Sequence, residues 1–191
     1  MKFVVQTFKA EKRLILISFL IFTLSCILGI VAGLYFGDEM QKFINQYIRK
    51  LFESILKNAK SPYLLFLAIL KNNMKVYLII ITAGTLTFGL VSVFVLLSNG
   101  FIVGAVATIS AKQTSLAKTL LLILPHGIFE IAAFIIGSAA SAIFLEAAVS
   151  SKERPKPNIA FKRFLTLAVC GAFLVVFAAF LEAFVTSSFA K

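Results

Sequence analysis

Long uncharged runs alternate with short charged stretches along this chain, and the runs define its elements. Leu14 to Gly37 carries no charge over 24 residues. As a helix it is ~36 Å long, enough to cross a ~30 Å hydrocarbon core. Lys9, Lys12 and Arg13 precede it, and no small-x-small cleavage site follows a short apolar region, so it reads as an uncleaved membrane anchor. The next stretch, 38–60, has a different rhythm. Phe43, Ile44, Tyr47, Ile48, Leu51, Phe52, Ile55 and Leu56 share one arc of a helix, with Lys42, Gln46, Arg49, Lys50, Glu53, Lys57 and Lys60 on the other. Such a helix lies in the membrane interface or packs on a partner, with Phe43, Tyr47, Leu51 and Ile55 as the contacting residues.

Ser61-Pro62 suits a helix start, with Pro62 at the first helical position, and predicts a short helix over 63–75 closed by the polar knot Lys71-Asn72-Asn73-Met74-Lys75. A second uncharged run, 76–97, predicts a span that ends at the turn-like Ser98-Asn99-Gly100. The run 101–111 reaches only ~16 Å as a helix and is expected to be short or re-entrant. Residues 119–149 are apolar except at Pro125, His126, Glu130 and Glu146, and predict a broken span in which Pro125 opens a helix. A hydrophilic loop, 150–163, precedes a last span over 164–185. The expected fold is all-α: one integral membrane domain over 1–191, with about five transmembrane spans, re-entrant or broken segments and an amphipathic interfacial helix.

Composition supports this class. Hydrophobic residues make up 60% and charged residues 14%, with a mean hydropathy of +1.00, which excludes a water-soluble globule. The net charge of +11 does not point to nucleic acid, because the basic residues lie in the gaps between apolar runs, where they set topology and meet anionic headgroups. Two compact basic clusters, Lys2, Lys9, Lys12 and Arg13 at the N-terminus and Lys152, Arg154, Lys156, Lys162 and Arg163 in the loop, are separated by four crossings. This arrangement predicts a multi-pass cell-membrane protein with a cytoplasmic N-terminus. Cys26 and Cys170 both lie in apolar runs, without the spacing of a disulfide framework or zinc site.

The chemistry-bearing residues are few. His126 and Glu130 stand four apart, so on one helix they share a face and can hydrogen-bond within the apolar layer. Ionisable groups there are costly, which leaves a structural hydrogen bond, a proton or ion pathway, or a metal site as competing readings. One His and one Glu supply only two of the four ligands zinc takes, so no metal and no cofactor are expected. Glu146 and Glu182 lie near span ends, where a carboxylate reaches water. Asn72, Asn73 and Asn99 suit caps or hydrogen bonds between helices, with a substrate-binding role as the other reading. Gly29, Gly33 and Gly37 recur on one face of the first span, Gly100 and Gly104 follow Asn99, and Ala133, Gly137 and Ser141 repeat the pattern more weakly. Together with Gly127, these small residues predict close helix packing, either within the chain or between two copies as a dimer. No Walker loop, GxSxG, HExxH or Cys/His cluster is present, and the chain does not read as an enzyme.

The Asn72-Asn73 pair before a span, Asn99-Gly100 with Gly104 one turn on, and Pro125-His126-Gly127-x-x-Glu130 ahead of a long helix resemble the stage II sporulation protein M family of integral membrane proteins over about residues 66–148. The chain departs from the family after Gly137, where Ser and Ala occupy 138–142 in place of a Gly-rich stretch. The resemblance implies a polytopic protein without catalytic activity of its own. In spore formers the namesake works with peptidoglycan-degrading partners during engulfment. The expected role is a membrane scaffold in contact with the lipid bilayer and an unidentified protein partner. The alternative is a small transporter or channel with a site at His126 and Glu130.

Overall fold

The computed structural model describes residues 2–43, 46, 61–149 and 156–186, and every element among them is helical. In order they are α1 (Lys2–Ala10), α2 (Lys12–Tyr35), α3 (Gly37–Phe43), α4 (Pro62–Ile81), the one-turn α5 (Ala83–Leu86), α6 (Leu90–Gln113), α7 (Leu116–Val149), α8 (Pro157–Leu181) and a π-helical turn, Glu182–Thr186. Five helices among the described residues are long and apolar enough to cross a membrane: α2, α4 continued through α5, α6, α7, and α8 with its π-helical turn. Most of the expected interfacial helix, 44–45 and 47–60, lies outside the described residues, including Tyr47, Leu51 and Ile55. Phe43 closes α3.

The middle of the chain is divided differently from the sequence expectation. The short helix 63–75 and the first part of the expected 76–97 span form one continuous helix, α4. Its polar knot belongs to two faces: Ile69, Asn73, Tyr77 and Ile80 are buried, while Lys71 and Lys75 are exposed. The start is as expected, with the Ser61 hydroxyl accepting from the Leu64 N–H at 3.3 Å and Pro62 in the first turn. The break falls at 82–89, inside the expected span, where Phe88 and Gly89 take φ of 52° and 94°. This turn contains no charged residue. Thr82, Thr85 and Thr87 return their hydroxyls to the carbonyls of Leu78, Ile81 and Ala83, so the turn satisfies its polar groups locally.

Beyond the turn, Asn99-Gly100 sits within α6 rather than at an end, and the expected short 101–111 segment is the second half of that span. Pro125 likewise lies inside α7 and does not open it. Proline removes one N–H and crowds the carbonyl four residues back, but a long helix held by neighbours in a membrane tolerates it.

The helices alternate in direction. Ser25 Oγ donates to the Leu97 carbonyl at 2.5 Å and Lys112 Nζ to the Gly33 carbonyl at 2.9 Å, so α2 and α6 run parallel. Antiparallel pairing of α7 and α8 follows from the ring contact Phe144–Phe164 at one end and the His126–Thr186 contact at the other. At the α1 end, Arg163 Nη1 donates to Glu11 Oε1 at 3.0 Å, which brings the N-terminal segment and the start of α8 to the same side.

Two seams of small residues hold the bundle. Between α2 and α6, a Cβ at Gly29 would overlap the Phe101 carbonyl, and one at Gly104 the Cys26 carbonyl. Gly33 and Gly100 contribute in the same way against Thr108 and the Phe22 carbonyl. Gly29 and Gly33 therefore serve a contact inside the chain. Gly37 lies outside the seam, with only Lys112 Nζ at 3.5 Å, and a Cβ on Gly127 would meet only the Ile123 side chain of its own helix. The second seam surrounds Tyr77, fully buried, whose ring fills the space left by Gly137 on α7 and Gly171 on α8. Its hydroxyl donates to the Ala168 carbonyl at 2.7 Å.

Candidate functional site

The sequence pairs His126 with Glu130, but among the described residues no hydrogen bond joins them. Each instead faces the last turns of α8. His126 Nδ1 lies 3.3 Å from Thr186 Oγ1. Glu130, one turn deeper, lies close enough to Glu182 for the two carboxyl groups to interact electrostatically. The antiparallel register explains both pairs, because two residues four apart on α7 meet two residues four apart on the facing strand of helix. The π-helical turn Glu182–Thr186 presents that second pair. Apolar groups surround them: Ile69 of α4 clusters with Ala179 and Ala183, Phe66 stacks obliquely on Phe184 with centroids 6.3 Å apart, and Phe129 meets Phe177 edge-on at 4.8 Å.

The amides do not join this group. Asn72 Nδ2 donates to Asn73 Oδ1 at 3.2 Å, and Asn99 Nδ2 donates to the Val95 carbonyl of its own helix at 2.9 Å. No hydrogen bond links either to His126 or Glu130 among the described residues. Both lie in mid-helix, so neither caps an end.

A further polar cluster holds the α5 turn. Ser92 Oγ donates to the Ile80 carbonyl at 3.0 Å and lies 2.6 Å from Ser141 Oγ, which is also 2.7 Å from the Ser138 carbonyl. Gly84 leaves room for both hydroxyls. Among the described residues no buried side-chain nitrogen or oxygen lacks a partner, and no three His, Cys, Asp or Glu side chains converge as a metal would require. Outside the spans, burial pushes the Glu11 carboxyl above its ordinary range, with the Arg163 contact opposing the shift and Glu146 adding to it.

Glu182 is half-buried and near enough to Glu130 to interact with it electrostatically, a relation that sequence reasoning missed. The available signal was the spacing: Glu182 and Thr186 repeat, on the last span, the four-residue step of His126 and Glu130. Tyr77 gave no comparable signal, because a single Tyr in an apolar run looks like its neighbours. As chemistry, two carboxyls and an imidazole spread over about one helical turn of an apolar layer are groups that can hold or exchange a proton.

The family model of stage II sporulation protein M matches residues 18–187, from the first turns of α2 past the π-helical turn. The chain belongs to the stage II sporulation protein M family. This family member is 33% identical over 184 residues to an uncharacterized protein of Methanocaldococcus jannaschii, a match covering 92% of this chain and 95% of the relative. No solved structure matches it. Both seams and the whole His126, Glu130, Glu182 and Thr186 group fall inside the region shared with the stage II sporulation protein M family, whereas α1 and Glu11 precede it.

Proposed function

We propose that this stage II sporulation protein M family member is a non-catalytic membrane scaffold that positions a partner protein at the bilayer. The observation that carries this reading is the filled interior. Tyr77 occupies the centre between α4, α7 and α8, and the buried polar side chains among the described residues are matched to partners. Such an interior suits a rigid platform, with recognition left to the surface. The amphipathic 38–60 stretch, with Phe43, Tyr47, Leu51 and Ile55 on one arc, is the proposed docking surface, and cell-wall hydrolases are the partner class implied for spore formers. The N-terminus is proposed to be cytoplasmic, on the evidence of the basic clusters. Self-association as a dimer belongs to the same proposal and uses a surface other than Gly29 and Gly33, which already pack on α6. Co-purification from native membranes tests the scaffold: a partner held by the wild type is lost when those four residues become Ser. A folded variant that keeps every partner refutes it.

A second reading is favoured by one observation, the Glu130–Glu182 pair, which has no cation among its described hydrogen-bond and ion-pair contacts. It is a small transporter that carries a proton or cation at this depth. Its test is labelling of Glu130→Cys, in a background with Cys26 and Cys170 replaced by Ser, using a membrane-impermeant thiol reagent. Labelling from both sides supports transport, and protection from both sides removes it.

A further inference from the structure

We infer that the lateral groove between α2 and α7 binds one anionic phospholipid, with an acyl chain in the groove and the phosphate at Lys12. The groove has a volume of about 560 Å³ and opens sideways from the bundle. Its walls are almost wholly apolar, running from Phe19 to Ile30 on α2 and from Ile135 to Ile128 on the antiparallel α7. The eleven residue steps from Phe19 to Ile30 on α2 span ~16 Å. The groove therefore lies ~10–27 Å from Lys12, so a chain anchored there enters it from mid-chain and its end passes the middle of a ~30 Å hydrocarbon core.

The headgroup end follows from helical phase. Phe19, Thr23, Cys26 and Ile30 line the groove, and at ~100° per residue Lys12 falls within ~40° of all four. Lys12 therefore stands at the α1 end of the same stripe, ~10 Å beyond Phe19. It is exposed, as is Arg13, and neither forms an ion pair among the described residues. Their acidic neighbour Glu11 is engaged by Arg163, leaving both cations available to a phosphate.

A second groove supplies a contrast. It is of similar size, about 600 Å³, and lies between α2, α3 and α6, with Leu28, Met40 and Phe101 in its wall. Asp38 and Glu39 adjoin Met40 and are exposed. Lys42 on the same short helix and Lys112, at the Gly33 carbonyl, are exposed there as well, so the charges at that end balance, whereas Lys12 and Arg13 give the α2–α7 groove a positive end.

The test uses the full chain in phosphatidylcholine nanodiscs doped with a phosphatidylglycerol carrying a photoreactive group in mid-chain. Cross-links mapped on the wild type are expected to concentrate on 19–30 and 128–135, several-fold over the lipid-facing segments around Phe94 and Phe173. The matching phosphatidylcholine probe labels groove and perimeter alike. Lys12→Gln with Arg13→Gln lowers groove labelling by phosphatidylglycerol by about thirtyfold, the equivalent of ~1 kcal/mol for each of the two cations near a membrane surface. Soluble glycerol phosphate does not displace the probe, which separates a membrane lipid from a free phosphate. Even labelling around the perimeter, equal groove labelling by the two headgroups, displacement by glycerol phosphate, or an unchanged double variant overturns the inference. The mapping on the wild type alone decides the first three, whatever the variant's folding.

Discussion

Alanine at Gly104 separates a packing seam inside the chain from a surface kept for a second copy. The added Cβ meets the Cys26 carbonyl oxygen and carbon and the Ile30 nitrogen, all backbone atoms that no side-chain rotation can move. α2 and α6 must therefore part locally. Overpacking of this kind costs ~1–3 kcal/mol. Replacing glycine by alanine in a helix returns ~0.5–1 kcal/mol. The difference of these terms is ~0–2.5 kcal/mol, and contact with three backbone atoms puts Gly104 at the upper end, a net loss of ~2 kcal/mol. Gly29→Ala, aimed at the Phe101 carbonyl, falls in the same range, whereas Gly37→Ala meets only Lys112 Nζ at 3.5 Å and loses nothing. Unfolding by sodium dodecyl sulfate in mixed micelles, followed by far-ultraviolet circular dichroism, reads all three variants. Equal behaviour of Gly104→Ala and Gly37→Ala refutes the reasoning. So does a Gly104→Ala chain that keeps its stability and changes only its oligomeric state.

The same assay reads the other seam. Tyr77→Ala empties the space between Gly137 and Gly171 and is expected to cost ~3–5 kcal/mol, while Tyr77→Phe loses only the hydrogen bond to Ala168, ~0.6 kcal/mol and at most ~1.7; near-equal losses contradict this assignment. Ser92→Ala leaves Ser141 with its Ser138 contact but frees the Ile80 carbonyl, and is expected to loosen the 82–89 turn, read as faster amide exchange at Leu86 to Leu90; unchanged exchange there contradicts it. For Glu11 the folded carboxyl titrates above the unfolded value, so its contribution to stability is full below the ordinary 4.5 and is lost as pH rises through the higher folded value. Wild-type stability declines over that window, and Glu11→Gln flattens the decline; an unchanged pH slope in the variant counts against the assignment.

The number of crossings was legible because ~20-residue apolar runs are the strongest signal a membrane chain carries. Their boundaries were not, and the reason lies in particular residues. Lys71, Asn72, Asn73 and Lys75 interrupt hydropathy but not the helix, since Asn73 turns inward one step from Tyr77 while the lysines face out. The real turn is hidden because Thr82, Thr85 and Thr87 bond to their own backbone, so no polar loop marks it. Glycine spacing gave the faces that pack but not their partner, because Gly29 and Gly33 fit a second copy as well as they fit α6. At the polar site, His126 and Glu130 were visible as intramembrane titratable groups. The matching four-residue step of Glu182 and Thr186 hinted at their partners, but the register of α7 against α8 that brings the two steps together is not encoded locally.

Flux through proteoliposomes containing the purified full chain tests the central claim, that the interior is packing and not a path. The account predicts proton and monovalent-cation fluxes equal to those of protein-free vesicles, in the wild type and in Glu130→Gln alike. Protein-dependent flux that disappears in Glu130→Gln contradicts it.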